Sequence, residues 1–378
     1  VGYQAGYSNT TGTYVDAFGF TALNKNTTGQ QNVGIGTQAL FNNTTASYNT
    51  AVGTAALYNN TTGAYNTALG HTALFSNTTA SNNTAVGYQA GYSNTTGTEV
   101  VALGLQSLYS NTTGYANHAL GYASLFSNTT GGYNTAVGHS ALNANTTASY
   151  NTAVGYQAGY SNTTGATYAV MIGTQAGYFI TGGTHNIAIG YQSFYGTAGS
   201  TGASNVAVGS YTLYRNTTGS QNTVVGYDAM EFNTTGDNHV VVGYQSLKAN
   251  TTGQYNTAVG VATLTSNTTA NANTAIGYQA LYANTTGSNN TAVGYAAGYN
   301  NTIGTRNTAV GWAAGYANTT GADNASFGYR SSYANTTGVY NVAIGSDSLR
   351  SNATGSYLTA IGGNCLFSTD GTQFNTAV

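Results

Sequence analysis

Asn49-Thr50-Ala51-Val52-Gly53 decides the fold. The pentapeptide returns, intact or lightly edited, every 17 residues, and its closing glycine can be followed from Gly2 through Gly19, Gly36, Gly53 and Gly70 to Gly155. It resumes at Gly173, Gly190 and Gly209, then runs at intervals of 17 from Gly226 to Gly362. A period held over 22 copies is the signature of a solenoid, in which each coil buries its apolar face against its neighbours. The sequence therefore predicts an all-β parallel β-solenoid or β-roll of about 22 coils, occupying residues 1–378 as one continuous repeat array. At ~4.8 Å per coil such an array would be on the order of 105 Å long.

Numbering the coil from its asparagine, places one to five read Asn-Thr-Ala-Val-Gly. Places six to eleven typically read Tyr-Gln-Ala-Leu-Tyr-Ser, and twelve to fifteen read Asn-Thr-Thr-Gly. Place four is always a large apolar residue, such as Phe18, Ile35, Leu69, Val154 or Phe327. A strand alternates its side chains, so places two and four share one face and the alanine at place three takes the other. Both faces are apolar, which suits a strand covered on both sides: one by the inside of the coil, the other by a neighbouring layer or chain.

The glycine at place five never varies, so that corner calls for positive φ or leaves no room for a Cβ. Place fifteen is Gly12, Gly29 and Gly63 but also Ala46, Ala80, Ala148 and Ala270, so a left-handed backbone is not compulsory there. Where place nine is glycine instead of leucine, place ten is tyrosine, as in Gly91-Tyr92 and Gly298-Tyr299. The expectation is that the ring covers the vacated space.

Charge gives an independent check on register. Glu231 and Lys248, Arg306 and Asp323, and Arg330 and Asp347 are each 17 residues apart, so coils stacked in register bring opposite signs together. Exposed pairs of this kind contribute little stability but report the alignment.

The Asn-Thr-Thr run forms a second corner, because Asn and Thr hydrogen-bond local backbone. Its asparagines are Asn9, Asn26, Asn43, Asn60, Asn77, Asn94, Asn111, Asn128, Asn145, Asn162, Asn216, Asn233, Asn250, Asn267, Asn284, Asn318, Asn335 and Asn352. Stacked identical amides build ladders along an axis. The run is also an N-glycosylation acceptor pattern, although acceptors ~4.8 Å apart leave little room for full occupancy. Residues 156–209 are irregular: the glycine intervals are 18, 17 and 19, Ile180 replaces the asparagine, and Gly196–Gly202 holds two extra residues.

No chemistry of a catalytic site is visible. The five histidines (His71, His118, His139, His185, His239) scatter over the repeat and read as surface or edge residues with no metal, and no cofactor is implied. Cys365 occupies the small eighth place and reads as a buried thiol standing in for alanine. A net charge of −2 with 4% charged residues gives no electrostatic footprint for nucleic acid or an anionic membrane, and no apolar run is long enough to span a bilayer. The tyrosines at place six, with Trp312 in register, are candidates for packing between chains or for binding glycans. Val1 and Val378 fall at the same place of the repeat, so the chain reads as a segment of a longer array.

The pentapeptide resembles the Asn-Ser-Val-Ala-Ile-Gly repeats of YadA-like adhesin heads, with Asn186-Ile187-Ala188-Ile189-Gly190 and Asn341-Val342-Ala343-Ile344-Gly345 as the nearest copies. That resemblance implies a left-handed parallel β-roll assembled as a homotrimer on a bacterial surface. The chain is also similar to the repetitive shafts of phage tail-fibre-like proteins. The expected function is structural and not enzymatic: an extracellular fibre or adhesin shaft, on a cell surface or virion, whose partner is itself and whose surface meets glycans or receptors. The alternatives are a subunit of a polymerised extracellular filament and an ice- or glycan-binding solenoid.

Overall fold

The computed structural model describes residues 1–369, 371 and 373–378. Among these residues lie 22 short strands and no helix, in two compact units, Val1–Asn186 and Ile187–Val378. The first unit runs from β1 (Asp16–Phe18) to β10 (Val170–Ile172), and the second from β11 (Ile187–Ile189) to β22 (Thr376–Ala377). The coils wind as the period predicts. In the first unit β3 (Thr50–Val52) pairs in parallel with β4 (Thr67–Leu69), Thr50 opposite Thr67 and Val52 opposite Leu69. In the second, β15 (Thr257–Val259) pairs in parallel with β16 (Thr274–Ile276), Thr257 opposite Thr274.

The strands are at most three residues long because glycine at place five turns the chain away. Gly53 has φ +136°, and a Cβ built on it would lie 2.4 Å from the carbonyl oxygen of Gly70. That conformation is essentially reserved for glycine, and the next coil leaves no room for a side chain. Both expectations for this corner hold together. Place fifteen behaves as expected too, since Gly63 and its equivalents in the regular coils are not among the positive-φ residues, Gly183 in the irregular stretch excepted.

The strand faces sort against the usual size order. Ala51 is fully buried, whereas Thr50 and Val52 are only half-buried. The reason is the thinness of the coil. Place three faces the leucine of place nine: a Cβ added at Gly34 would meet the Leu23 side chain at 3.1 Å. Beside such a leucine space is tight and most coils place alanine there, although Val224 and Val241 are also fully buried at this place; the valine, isoleucine or leucine of place four goes out. Leu23, Leu40, Leu57 and Leu74 are fully buried, each worth about 1.5–3 kcal/mol of transfer free energy.

The remaining backbone is held in an alternating conformation. Ala55, Leu57 and Tyr65 have φ of +54°, +51° and +58°, although a left-handed residue other than glycine costs about 1–2 kcal/mol. Hydrogen bonds to the adjoining coils hold it there. Ala55 N–H donates to Thr37 O at 2.8 Å in the preceding coil, and Leu57 N–H donates to Ala73 O at 3.0 Å in the following one. A buried N–H without such a partner would cost more than the strain it replaces.

Two local expectations need correction. The tyrosine after a place-nine glycine does not cover the missing leucine. Tyr92 stacks between Phe75 and Tyr109 at 5.2 Å each, just as Tyr58, which follows Leu57, stacks between Phe41 and Phe75. The space at Gly91 is closed instead by Leu74 of the preceding coil, 3.0 Å from the position of an added Cβ. Gly298 is closed in the same way by Leu281, 3.0 Å from an added Cβ, but Gly315, which follows it at place nine, would meet only Ala309 and Ser326, and Ser332 comes next. There the interior keeps a cavity of about 20 Å³, beside which the buried Ser332 hydroxyl has no partner. Cys365, in turn, is half-buried, packed against the Ala343, Leu349, Leu358 and Ala360 cluster.

Candidate functional site

The chain concentrates its chemistry in columns, since each place of the repeat recurs one coil on. Two of these columns are buried amides.

The first is the predicted ladder at place twelve. Asn43 Nδ2 donates to Asn26 Oδ1 at 2.8 Å and to Ala46 O at 3.0 Å; Asn60 Nδ2 donates to Asn43 Oδ1 at 2.9 Å and to Gly63 O at 2.9 Å. The same pair of bonds links Asn9 through Asn26 and onward to Asn145. In the second unit it links Asn216 through Asn233, Asn250, Asn267 and Asn284 to Asn318 and Asn335. Asn9 is exposed, and the others in these runs are buried. The ladder is broken where the period is. Asn145 Oδ1 and Asn162 Oδ1 are buried without a partner, and Asn162 Nδ2 reaches Ala166 O, one residue further along than usual. Ile180, fully buried, takes the asparagine's place in the next coil. In the second unit Ser200 fills the same place, its Oγ donating to Asn216 O at 2.9 Å. The Asn352 side chain bonds to Gly355 through both its amide atoms.

Asn301 is a rung the sequence reading missed. It joins Asn284 and Asn318 at 2.8 Å each. Ile303 spoils its Asn-Thr-Thr signature, but the count of 17 from Asn284 was enough to find it.

The second amide column, at place one, was not predicted. Asn49 Oδ1 accepts from the backbone N–H of Asn66 at 2.9 Å, and Asn49 Nδ2 donates to Gly63 O at 2.9 Å. The Gly63 carbonyl therefore receives both Asn49 and Asn60, so place fifteen is the seam that ties the ladders together. The signal was present in the recurrent opening asparagine, which a strand start does not require.

His239 shows how another side chain can serve that column. It sits at place one, is 1% exposed, and reproduces both amide bonds. Its Nδ1 accepts from Asn256 N–H at 3.1 Å while Nε2 faces Gly253 O at 2.7 Å. Only the neutral ring with its proton on Nε2 satisfies both. Burial holds its pKa below the usual histidine value, with the two backbone bonds and Asp237 opposing. The expectation of a surface histidine is thus overturned here. His71, His118, His139 and His185 are exposed.

The outer columns carry rings and charge. Glu231 and Lys248 pair at 3.0 Å, and Asp228 joins them at 2.8 Å. Burial pulls the Lys248 pKa down, but the two carboxylates outweigh it and raise it. Arg306 grips both oxygens of Asp323, at 2.6 and 2.8 Å, and its hydrogen bonds hold that carboxyl below the usual range. Arg330 Nε lies 3.2 Å from Asp347 Oδ1, close enough for an ion pair though not aligned for a hydrogen bond. All three predicted charge pairs are formed.

At place six, Tyr278, Tyr295, Trp312 and Tyr329 stack in one file with centroids 5.0 to 5.8 Å apart. Stacking occupies the ring faces and leaves edges and hydroxyls outward, which is poor geometry for a sugar that packs on an aromatic face. At the Asn-Thr-Thr corner the first threonine is committed, as Thr61 Oγ1 donates to Thr78 O at 3.1 Å, and only the second is exposed.

Among the described residues no three His, Cys, Asp or Glu side chains gather to hold a metal, and no helix is long and apolar enough to cross a membrane. No family model, curated protein or solved structure matches the chain.

Proposed function

We propose that the chain is a structural shaft, an extracellular fibre or adhesin segment of a cell surface or virion, that associates side by side with copies of itself through the outer faces of its strands. The single observation behind this is the outward half of each strand. Places two and four hold apolar residues or threonine throughout, Asp16 and His118 excepted, and they are only partly buried. In the second unit six such side chains, among them Val240, Ile276 and Ile344, are 38–46% exposed, flanked by six place-six aromatics from Tyr227 to Tyr329 at 43–49%. At 150–250 Å² for a full aromatic side chain these leave roughly 900 Å² uncovered, against the about 800 Å² each partner gives to a standard interface. Depletion of charge is the compositional mark of an interface core. A partner bearing the same columns at the same rung spacing fits this face all along its length.

The resemblance to YadA-like repeats supports three parallel chains and left-handed winding. The place-twelve and place-one ladders support a stiff spacer that holds another element away from a surface. Light scattering on the purified chain tests the assembly: an oligomer is expected, converted to monomer by Val259→Lys with Val293→Lys, and a monomeric wild type would refute it. Electron microscopy separates discrete rods from the continuous polymers of a filament-forming subunit.

One observation favours a second reading. Thr257, Thr274, Thr291 and Thr308 stand on four successive strands beside Val259, Ile276, Val293 and Val310, an ordered array of hydroxyl and methyl groups suited to ice. Thermal hysteresis lost in Thr291→Lys would favour it over self-association.

A further inference from the structure

The exposed tyrosines at place seventeen share one backbone conformation, with φ from +55° to +64° at Tyr48, Tyr65, Tyr133, Tyr150, Tyr168, Tyr340 and Tyr357. Their side chains therefore leave successive coils in the same direction. Rings lie over rings: Tyr48 on Tyr65 at 4.8 Å and 5°, Tyr133 on Tyr150 at 4.8 Å and 11°. Tyr150 also covers Tyr168 at 5.0 Å and 6°, and Tyr340 covers Tyr357 at 5.1 Å and 18°. All seven are 46–59% exposed, so their edges and hydroxyls face solvent.

We propose that these stacked pairs are sites of oxidative phenol coupling, which would join successive coils by a carbon–carbon bond. The co-reactant is a peroxide used by a haem peroxidase, or another one-electron oxidant. Each phenol gives up one electron and its hydroxyl proton. The two phenoxyl radicals combine at ring carbons ortho to the oxygens, and each ring then returns the hydrogen of that carbon to its own oxygen. The pair loses two electrons and two protons, and one hydrogen peroxide becomes two waters. Parallel rings in register hold the two ortho carbons side by side before any oxidation, so coupling within the chain competes well with encounters between chains.

The chain contains its own controls. Tyr14 and Tyr255 are also at place seventeen and are 81% and 60% exposed, yet Gln31, Asn238 and Ala272 occupy that place in the adjoining coils. In the half-buried place-ten file, Tyr58 lies between Phe41 and Phe75, which have no phenol to offer. These three tyrosines have no stacked partner for the reaction.

The test treats the full chain, at several dilutions, with a haem peroxidase and limiting hydrogen peroxide, and in parallel with a photogenerated metal(III) oxidant. Digestion and mass spectrometry then locate linked peptides. The expected result is dityrosine fluorescence per chain independent of protein concentration. Linked peptides lighter by two hydrogens should join Tyr48–Tyr65, Tyr133–Tyr150 or Tyr150–Tyr168, and Tyr340–Tyr357. Tyr150→Phe should remove both linkages at that residue and leave Tyr48–Tyr65 and Tyr340–Tyr357 at wild-type yield. The proposal is overturned by linkages as frequent at Tyr14 and Tyr255 as at the stacked pairs, by yields that rise with protein concentration, or by no linkage at the pairs under either oxidant.

Discussion

Replacing Gly53 by alanine adds one methyl group, and the structure says where it must go. The residue has φ +136°, and the new Cβ would lie 2.4 Å from the Gly70 carbonyl oxygen and 2.7 Å from its carbon. Two costs combine: about 1–3 kcal/mol for a side chain in a glycine-only region, and about 1–3 kcal/mol for overpacking against backbone that cannot rotate away. A local loss of roughly 2–6 kcal/mol follows. Gly114→Ala is the control. Its Cβ would also start 2.4 Å from a carbonyl oxygen, that of Gly131, but φ there is not positive and Ala46 and Ala80 already occupy the equivalent place with under 4% exposure. Closeness alone therefore does not decide the outcome; closeness with a forbidden φ does. Because a solenoid unfolds by local opening as well as globally, amide hydrogen exchange read coil by coil is the suitable assay. Gly53→Ala should collapse protection in its own coil and the next, while Gly114→Ala leaves it within about tenfold of wild type, or ~1.4 kcal/mol. Equal loss in the two variants would refute the reasoning.

Further outcomes can be checked. His239 is neutral when folded and its pKa is depressed by burial, so below about pH 6.5 the unfolded chain takes up a proton that the folded one refuses. Stability should be full above that pH and fall as pH drops through the folded value; His239→Asn, which restores the column's own residue, should flatten the profile between pH 7 and 5 in thermal melts. Asn60→Ala strips Asn77 Nδ2 and the Gly63 carbonyl of a partner and should cost about 1–3 kcal/mol, measured by the same exchange experiment. Both hydrogens of Asn60 and Asn250 Nδ2 are already donated, so the protease-resistant fraction secreted from a glycosylating host should carry no sugar on either, as mass spectrometry would report. Gly315→Leu should raise the melting temperature, since the site already has φ +56°, Leu57 adopts +51° at the same place, and an empty volume adjoins it.

How much of this was legible differs from column to column. The period alone placed Glu231 beside Lys248 and every strand opposite its neighbour, because stacking needs only a count. The direction of the strand did not follow from it. Ala51 inside and Val52 outside inverts the ordering by apolar size, and the inversion goes with the leucine that crowds place three across a thin coil, a relation between distant places. Left-handed leucine and tyrosine at places nine and seventeen were equally hidden, since neither residue favours that conformation and only bonds to adjoining coils stabilise it. His239 lay within reach: its place in the repeat is the asparagine's, and the two ring nitrogens mimic an amide.

The unpaired oxygens of Asn145 and Asn162 carry a lesson for heredity. One surplus residue is enough to break the file of amides there, whereas a complete extra turn would present the same donors and acceptors and break nothing. Replication slippage that duplicates or deletes whole turns is thus close to neutral for folding, and any other indel is penalised. The number of turns becomes a quantity that a gene can raise or lower in discrete steps without redesigning a single contact.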